Sequence, residues 1–241
     1  MKSRISLALD GLSLTRALDL AEKLGKWLRS LKLHDLLDAY GPIVLRLLGE
    51  AGFRDVWVDY KLHDTKDTVA LRVAALVRNG ARIITVHASG GVPMMRAAVN
   101  AIGNGWHGGK AAEIYAITVL TSLDDAEIAR IYGKDRTRAE IVHELALMAK
   151  EAGVGTVVCS AQEVGMLKQS PDLVGMRFVV PGTRSAGVAL GQQKRSGTPT
   201  QAVADGADEL VAGSQVTTAE DPVAAFTAMA AEIGTPIDQL N

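Results

Sequence analysis

The chain of 241 residues predicts an α/β fold, a (β/α)8 TIM barrel. Three observations lead there. Eight short apolar runs alternate with longer segments of helical period. Several runs are apolar at nearly every position, the pattern of strands covered on both faces. The joints Asn79-Gly80-Ala81, Ala152-Gly153-Val154 and Asp205-Gly206-Ala207 repeat one design, a helix closed by glycine and followed by a strand. A doubly wound open sheet is the alternative. No low-complexity segment or linker divides the chain, so residues 1–241 are expected to form a single domain.

The strands are expected at Ile5–Leu9, Leu31–Leu33, Asp55–Tyr60, Ile83–His87, Ile114–Val119, Thr156–Cys159, Arg177–Val180 and Glu209–Ala212. The second is short enough to belong to the helix before it. Helical period marks Leu14–Arg29, where Leu14, Leu18, Ala21 and Leu28 share a face, then Pro42–Ala51, Thr68–Asn79, Val92–Ile102, Arg138–Ala152, Pro199–Asp205 and Pro222–Ile233.

Composition limits the function classes. Apolar residues make up 48% of the chain, enough for a full core. Lys plus Arg is 26 against 27 for Asp plus Glu, so neither nucleic acid nor a membrane surface is an expected partner. The lone Cys159 cannot close an intrachain disulfide and points to a reducing, cytoplasmic setting. Met1-Lys2-Ser3-Arg4-Ile5 runs straight into a strand, so no signal peptide is expected.

In a barrel, function gathers at the C-terminal strand ends. Asp10 ends the first strand, Lys32 lies in the second, Asp59 and Lys61 end the third with Asp64 just beyond, and His87 ends the fourth. Thr118, Thr121 and Ser122 follow the fifth, Ser160 the sixth, Pro181-Gly182-Thr183-Arg184 the seventh, and Gly213-Ser214 the eighth. So many polar groups in step with strand ends favour a site over surface decoration. Asp59 and Lys61 are two apart and share a face of the strand. Carboxylates around a lysine favour its charged form, and Lys32 adds a second cation. A barrel-end salt bridge without chemistry is the plain alternative. The glycines of Pro181–Gly197, with Gly213, suit phosphate binding by backbone N–H groups, although glycine-rich segments also serve as simple connections.

Asp59-x-Lys61-x-x-Asp64-x-x-x-Thr68 resembles the signature of the orotidine 5′-monophosphate decarboxylase family. Further matching pieces, in the same order, are Leu7-Ala8-Leu9-Asp10, Val86-His87-Ala88-Ser89-Gly90-Gly91, Thr118-Val119-Leu120-Thr121-Ser122, Cys159-Ser160-Ala161-Gln162-Glu163, and Pro181-Gly182-Thr183-Arg184 with Gln193 downstream. The resemblance covers almost the whole chain. It implies a homodimer that converts orotidine 5′-monophosphate to uridine 5′-monophosphate without metal or cofactor. Lys61 would stabilise and protonate the C6 carbanion, and Asp59 would face the departing carboxylate. Asp64 and Thr68 would arrive from the other subunit. Asp10 and Lys32 would hold ribose hydroxyls and Ser122 the pyrimidine amide edge, and Gln193 would bridge the closing phosphate loop to the base or phosphate. Pro181 belongs to the phosphate-side loop, and the backbone of Gly213 and Ser214 would hold the phosphate.

The chain departs from that family at two places. Ser214 stands where an arginine usually pairs with the phosphate, leaving Arg184, Lys194 or Arg195 as substitutes, or an altered variant, or another substrate. Lys32-Leu33-His34-Asp35 replaces a Lys-Val-Gly pattern, and His34 and Asp35 either begin the next helix on the surface, the favoured reading, or add polar groups near the site. Two other functions stay open: a sugar-phosphate decarboxylase or aldolase of the same suprafamily using Mg²⁺, and a nucleotide-binding barrel with impaired turnover. His63 and His87 are expected in structural roles, His107 and His143 at the surface, Cys159 buried and inert, and Met94-Met95 in packing.

Overall fold

The computed structural model describes residues 2–103, 106–107, 110–185 and 197–237, with backbone alone at 106, 107 and 110. Eight parallel strands close into a barrel: β1 (Ile5–Ala8), β2 (Leu31–Leu33), β3 (Val56–Leu62), β4 (Ile83–His87), β5 (Glu113–Ile117), β6 (Thr156–Val158), β7 (Arg177–Pro181) and β8 (Glu209–Ala212). Each pairs with its neighbours in sequence, and β1 closes on β8 through Ile5↔Leu210, Ser6↔Val211 and Leu7↔Ala212. All eight expected strands are present, including β2, which bridges β1 and β3. A short antiparallel hairpin, Trp106–His107 with Lys110–Ala111, was not expected.

The helices are α1 (Leu14–Leu24), α2 (Asp35–Tyr40), α3 (Ile43–Glu50), α4 (Lys66–Arg78), α5 (Val92–Ala101), α6 (Asp125–Tyr132), α7 (Arg138–Glu151), α8 (Val164–Gln169), α9 (Pro199–Ala204), α10 (Ser214–Thr217) and α11 (Pro222–Glu232). Helix α1 ends well before Arg29. Its cap, Gly25, sits so close to the Phe53 ring that a Cβ there would lie 1.6 Å from it. The three repeated joints behave as expected: Gly80, Gly153 and Gly206 have φ of 108°, 86° and 107°, the left-handed region that glycine adopts without penalty.

The strands bury both faces. Leu7, Val58, Ile84, Ala116, Val180 and Leu210 point outward into one large core shared with the helices. Ala8, Trp57, Ile83, Tyr115, Val179 and Val211 form a second cluster inside the barrel. The Trp57 and Tyr115 rings meet edge-on at 5.1 Å, and the Trp57 indole donates to Thr85 Oγ1 at 2.6 Å. Each large buried side chain of this kind contributes about 1.5–3 kcal/mol. Cys159, Met94 and Met95 lie in the outer core, as expected. His143 does not behave as a surface residue; it is half-buried, and its ring bonds Ser170 Oγ at 2.8 Å. The side chain of His107 lies outside the described residues.

Strand β3 carries the main irregularity. Between the pairs Val58↔Ile84 and Leu62↔Val86, it runs four residues while β4 runs two. Within this bulge Lys61 has φ of 49°, the one non-glycine residue with positive φ among those described.

Candidate active site

A cavity of about 790 Å³ opens at the C-terminal strand ends. Successive inward positions of the strands build it. Ala8 ends β1 and Asp10 follows it, Lys32 lies in β2 and His34 follows it, and Trp57, Asp59 and Lys61 lie in β3. Ile117 ends β5 with Thr121 and Ser122 beyond it, Val158 ends β6, and Pro181 ends β7 with Gly182 and Arg184 beyond it. Val211, Gly213, Ser214, Thr217 and Thr218 complete the rim from β8 and α10.

Its polar wall is an alternating chain of charges. Lys32 Nζ lies 2.9 Å from Asp10 Oδ2 and 3.0 Å from Asp59 Oδ2, and Lys61 Nζ lies 2.8 Å from the same Asp59 oxygen. His34 Nε2 lies 3.2 Å from Asp10 Oδ1. Asp59 and Lys32 are buried, while Asp10 stands at the open rim. Burial opposes the charge on Asp59, but Lys32 and then Lys61 outweigh it and hold its pKa below the usual carboxylate range. Burial likewise opposes the charge on Lys32, and Asp59 and Asp10 push its pKa above the ordinary lysine value. Asp10 is brought down to about 2, since the His34 hydrogen bond and the Lys32 charge overcome partial desolvation. The hydrogen bond to Asp10 raises the pKa of His34. Asp59 Oδ1 is buried without a hydrogen-bond partner among the described residues.

Most of the expected site residues are thus brought together: Asp10, Lys32, Asp59, Lys61, Ser122, Pro181, Gly213 and Ser214 all line the cavity. Asp64 and Thr68 do not. Asp64 is exposed in the turn before α4, accepting from the Thr65 N–H at 2.6 Å, and Thr68 pairs with Thr65 Oγ1 at 3.0 Å. Gln193, Lys194 and Arg195 lie outside the described residues. Thr118 and Ser160 are buried behind the lining, with the Thr118 hydroxyl donating to Val158 O at 3.0 Å. His63 and His87 pack ring to ring at 5.5 Å, and burial, His63 and Lys61 together lower the pKa of His87.

His34 corrects the sequence expectation. Asp35 does begin a helix, α2, with His34 as its cap, but the His34 ring faces the cavity. Its signal was the spacing from Lys32, the same two-residue step that joins Asp59 to Lys61. Trp57, two residues before Asp59, was missed despite the same signal.

Among the described residues, Asp10, His34 and Asp35 are the one set whose donor atoms, within 4.8 Å of one another, could hold a metal ion. The Lys32 ammonium at 2.9 Å occupies the same Asp10 carboxylate and works against a divalent cation there. Among the described residues, no helix is long and apolar enough to cross a membrane.

Comparison with known proteins agrees with this architecture. The family model described as orotidine 5'-phosphate decarboxylase / HUMPS matches residues 3–229. The orotidine 5'-phosphate decarboxylase of Pseudoalteromonas translucida is 42% identical over 222 residues, 92% of this chain and 93% of the relative. That of Moorella thermoacetica is 39% identical over 237 residues, covering 96% and 92%. The crystal structure of orotidine 5'-phosphate decarboxylase from Lactobacillus acidophilus superposes with a TM-score of 0.82 at 30% identity, covering 96% of this chain and 99% of that one. Strand order, cavity and matched sequence together place the chain in the orotidine 5'-phosphate decarboxylase / HUMPS family.

Proposed function

We propose that the chain decarboxylates orotidine 5′-monophosphate to uridine 5′-monophosphate, the closing step of de novo pyrimidine synthesis, in the cytoplasm and without a cofactor. The observation that carries this reading is the Lys32–Asp59–Lys61 triplet in the cavity wall. The C6–carboxylate bond breaks, carbon dioxide leaves, and the electron pair stays on C6. The Lys61 ammonium stabilises that pair and then transfers its proton to C6; solvent reprotonates the amine. Asp59 Oδ1, buried and unpartnered, faces the substrate carboxylate. Two such charges about 4 Å apart repel by about 4 kcal/mol at an effective dielectric of 20, a repulsion relieved as carbon dioxide departs.

Ser122 reads the pyrimidine edge, Asp10 and Lys32 the ribose, and Pro181 with Gln193 belongs to the phosphate side. The backbone of Gly213 and Ser214 holds the phosphate, and Arg184 supplies the cation that Ser214 does not. The Ser185 N–H donates to Gln215 Oε1 at 3.2 Å, which sets the Arg184 segment beside the Ser214 turn. Remote phosphate binding then supports the chemical step.

The active unit is a homodimer in which Asp64 and Thr68 enter the partner's cavity. Both lie outside the cavity of their own chain, and α4, which carries Thr68, leaves Leu71 72% exposed. Mixing Lys61→Ala with Asp64→Ala chains tests this. A symmetric dimer with shared sites regains about a quarter of native activity, whereas sites complete within one chain regain none.

The direct test of the reaction follows the absorbance of orotidine monophosphate with purified protein. Turnover that survives chelation supports the reading. No turnover at saturating substrate overturns it, and tight binding of uridine monophosphate in that case identifies a binding barrel instead.

A further inference from the structure

We propose that His34 is a positioning residue that fixes the Asp10 carboxylate as an acceptor for the nucleotide's sugar hydroxyls, and so sets the preference for ribose over deoxyribose. The inference rests on Asp10 contacting the sugar, as in the reading above.

The cap and first residue of α2 clamp two neighbouring residues after β1. His34 Nε2 lies 3.2 Å from Asp10 Oδ1, and the Gly11 N–H donates to Asp35 Oδ2 at 2.9 Å. The His34 ring is itself oriented. Its Nδ1 accepts the Asp35 N–H at 2.7 Å, so in the neutral ring the proton sits on Nε2 and is directed at Asp10. Lys32 approaches both Asp10 oxygens, at 3.2 and 2.9 Å. A carboxylate has about four acceptor positions. Lys32 and His34 both engage Oδ1, while Oδ2 meets Lys32 alone at 2.9 Å and keeps more open capacity on a residue that lines the cavity. Asp10 is 36% exposed, and with Lys32 alone its carboxylate could swivel about that one ammonium. The second donor removes that freedom before substrate arrives, and preorganisation of this kind strengthens binding by lowering its ordering cost.

The test measures inhibition constants of uridine monophosphate and its 2′-deoxy and 3′-deoxy forms on three proteins: native, His34→Leu and His34→Gln. His34→Leu keeps bulk without a donor. His34→Gln keeps a donor at similar reach. The native protein is expected to prefer the ribonucleotide over at least one deoxy form by about tenfold, the worth of one hydrogen bond to a charged group. His34→Leu should reduce that ratio to about twofold and raise KM by a larger factor than it lowers kcat. His34→Gln should restore most of the ratio. If His34→Leu does not fold, His34→Gly takes its place. A full ratio in the donor-free variant overturns the role of His34 while leaving Asp10 intact. No discrimination by the native protein overturns the sugar contact of Asp10 itself, and this inference with it.

Discussion

The two ends of the barrel use the same ingredients differently. At the N-terminal strand ends, Glu113 gathers Arg82 at 2.8 Å and Arg29 at 3.7 Å, and Arg177 closes on its other oxygen. Glu209 accepts from Ser6 and from the Tyr115 hydroxyl. At the C-terminal ends, Asp59 gathers Lys32 and Lys61, and Asp10 gathers Lys32 and His34. Among the described residues, both networks leave buried polar atoms without hydrogen bonds, Arg82 Nε and Nη1 below and Asp59 Oδ1 above. Neither ion-pair geometry nor an unpaired atom therefore distinguishes a site from a brace. Space does: the upper network borders about 790 Å³ of open cavity, while Trp57 and Tyr115 fill the barrel beneath it.

The comparison predicts that the upper network governs turnover and the lower one stability. Lys61→Ala, which removes the proposed electrostatic stabiliser and proton donor together, should lower kcat by a factor on the order of 10⁴ or more. Its circular dichroism should stay native; retained turnover would break the comparison at its upper end. Glu113→Ala leaves three arginines without their shared carboxylate and should cost about 3 kcal/mol, or about 6–12 °C in Tm for a domain of this size. The kcat/KM of the folded fraction should not change. A loss of activity without a loss of stability would show that the lower network reaches the site.

A smaller effect is expected where the upper end is incomplete. Ser214→Arg would put a charge at the proposed phosphate site worth about 1.5–3 kcal/mol, so KM should fall about tenfold or more. An unchanged KM would show that Arg184 and the backbone already suffice.

The smallest effect separates the networks by pH. Burial raises the pKa of Glu209, despite the hydrogen bond from Ser6 and the nearby Arg29. The folded state thus holds this proton more tightly than the unfolded state, and Glu209 costs progressively more stability as pH rises from the ordinary glutamate pKa through its raised one. Asp10 and Asp59 have the opposite sign: their stabilisation is complete above the ordinary aspartate pKa and is lost as pH falls through their lowered values, about 2 for Asp10. Glu209→Gln should therefore gain in Tm relative to the native protein as pH climbs from 4 toward neutrality, a range set by the reference carboxylate values. A pH-independent difference would sink this assignment.

The barrel was legible because its strands are apolar on both faces and its helix exits repeat one glycine joint. What stayed hidden was short. Helices α2, α8 and α10, of six, six and four residues, went unread; α9, also six residues, was read at Pro199–Asp205. Helix α6 did carry a readable sign, since Asp124 and Glu127 form a capping box at the spacing that defines one. In the site, the shared face of Asp59 and Lys61 was read from strand alternation, yet the strand bulges between them. The ion pair survives because Lys61 adopts a left-handed backbone. His34 was left between a surface helix start and a place near the site, and the alternation rule, applied one strand earlier, would have favoured the site, where its ring lines the cavity.

That left-handed backbone sets folding against function at a single position. An L-residue with a side chain held there costs about 1–2 kcal/mol, which glycine would avoid. Lys61→Gly should consequently melt above Lys61→Ala, the reverse of the usual ranking, because neither carries the ammonium and only alanine keeps the strain. Selection for thermal robustness alone would drift toward glycine at this position. If Lys61 has its proposed role, a lysine persists there only while turnover is also under selection, and in variant libraries of this chain position 61 is where stability scores and growth scores should part most sharply.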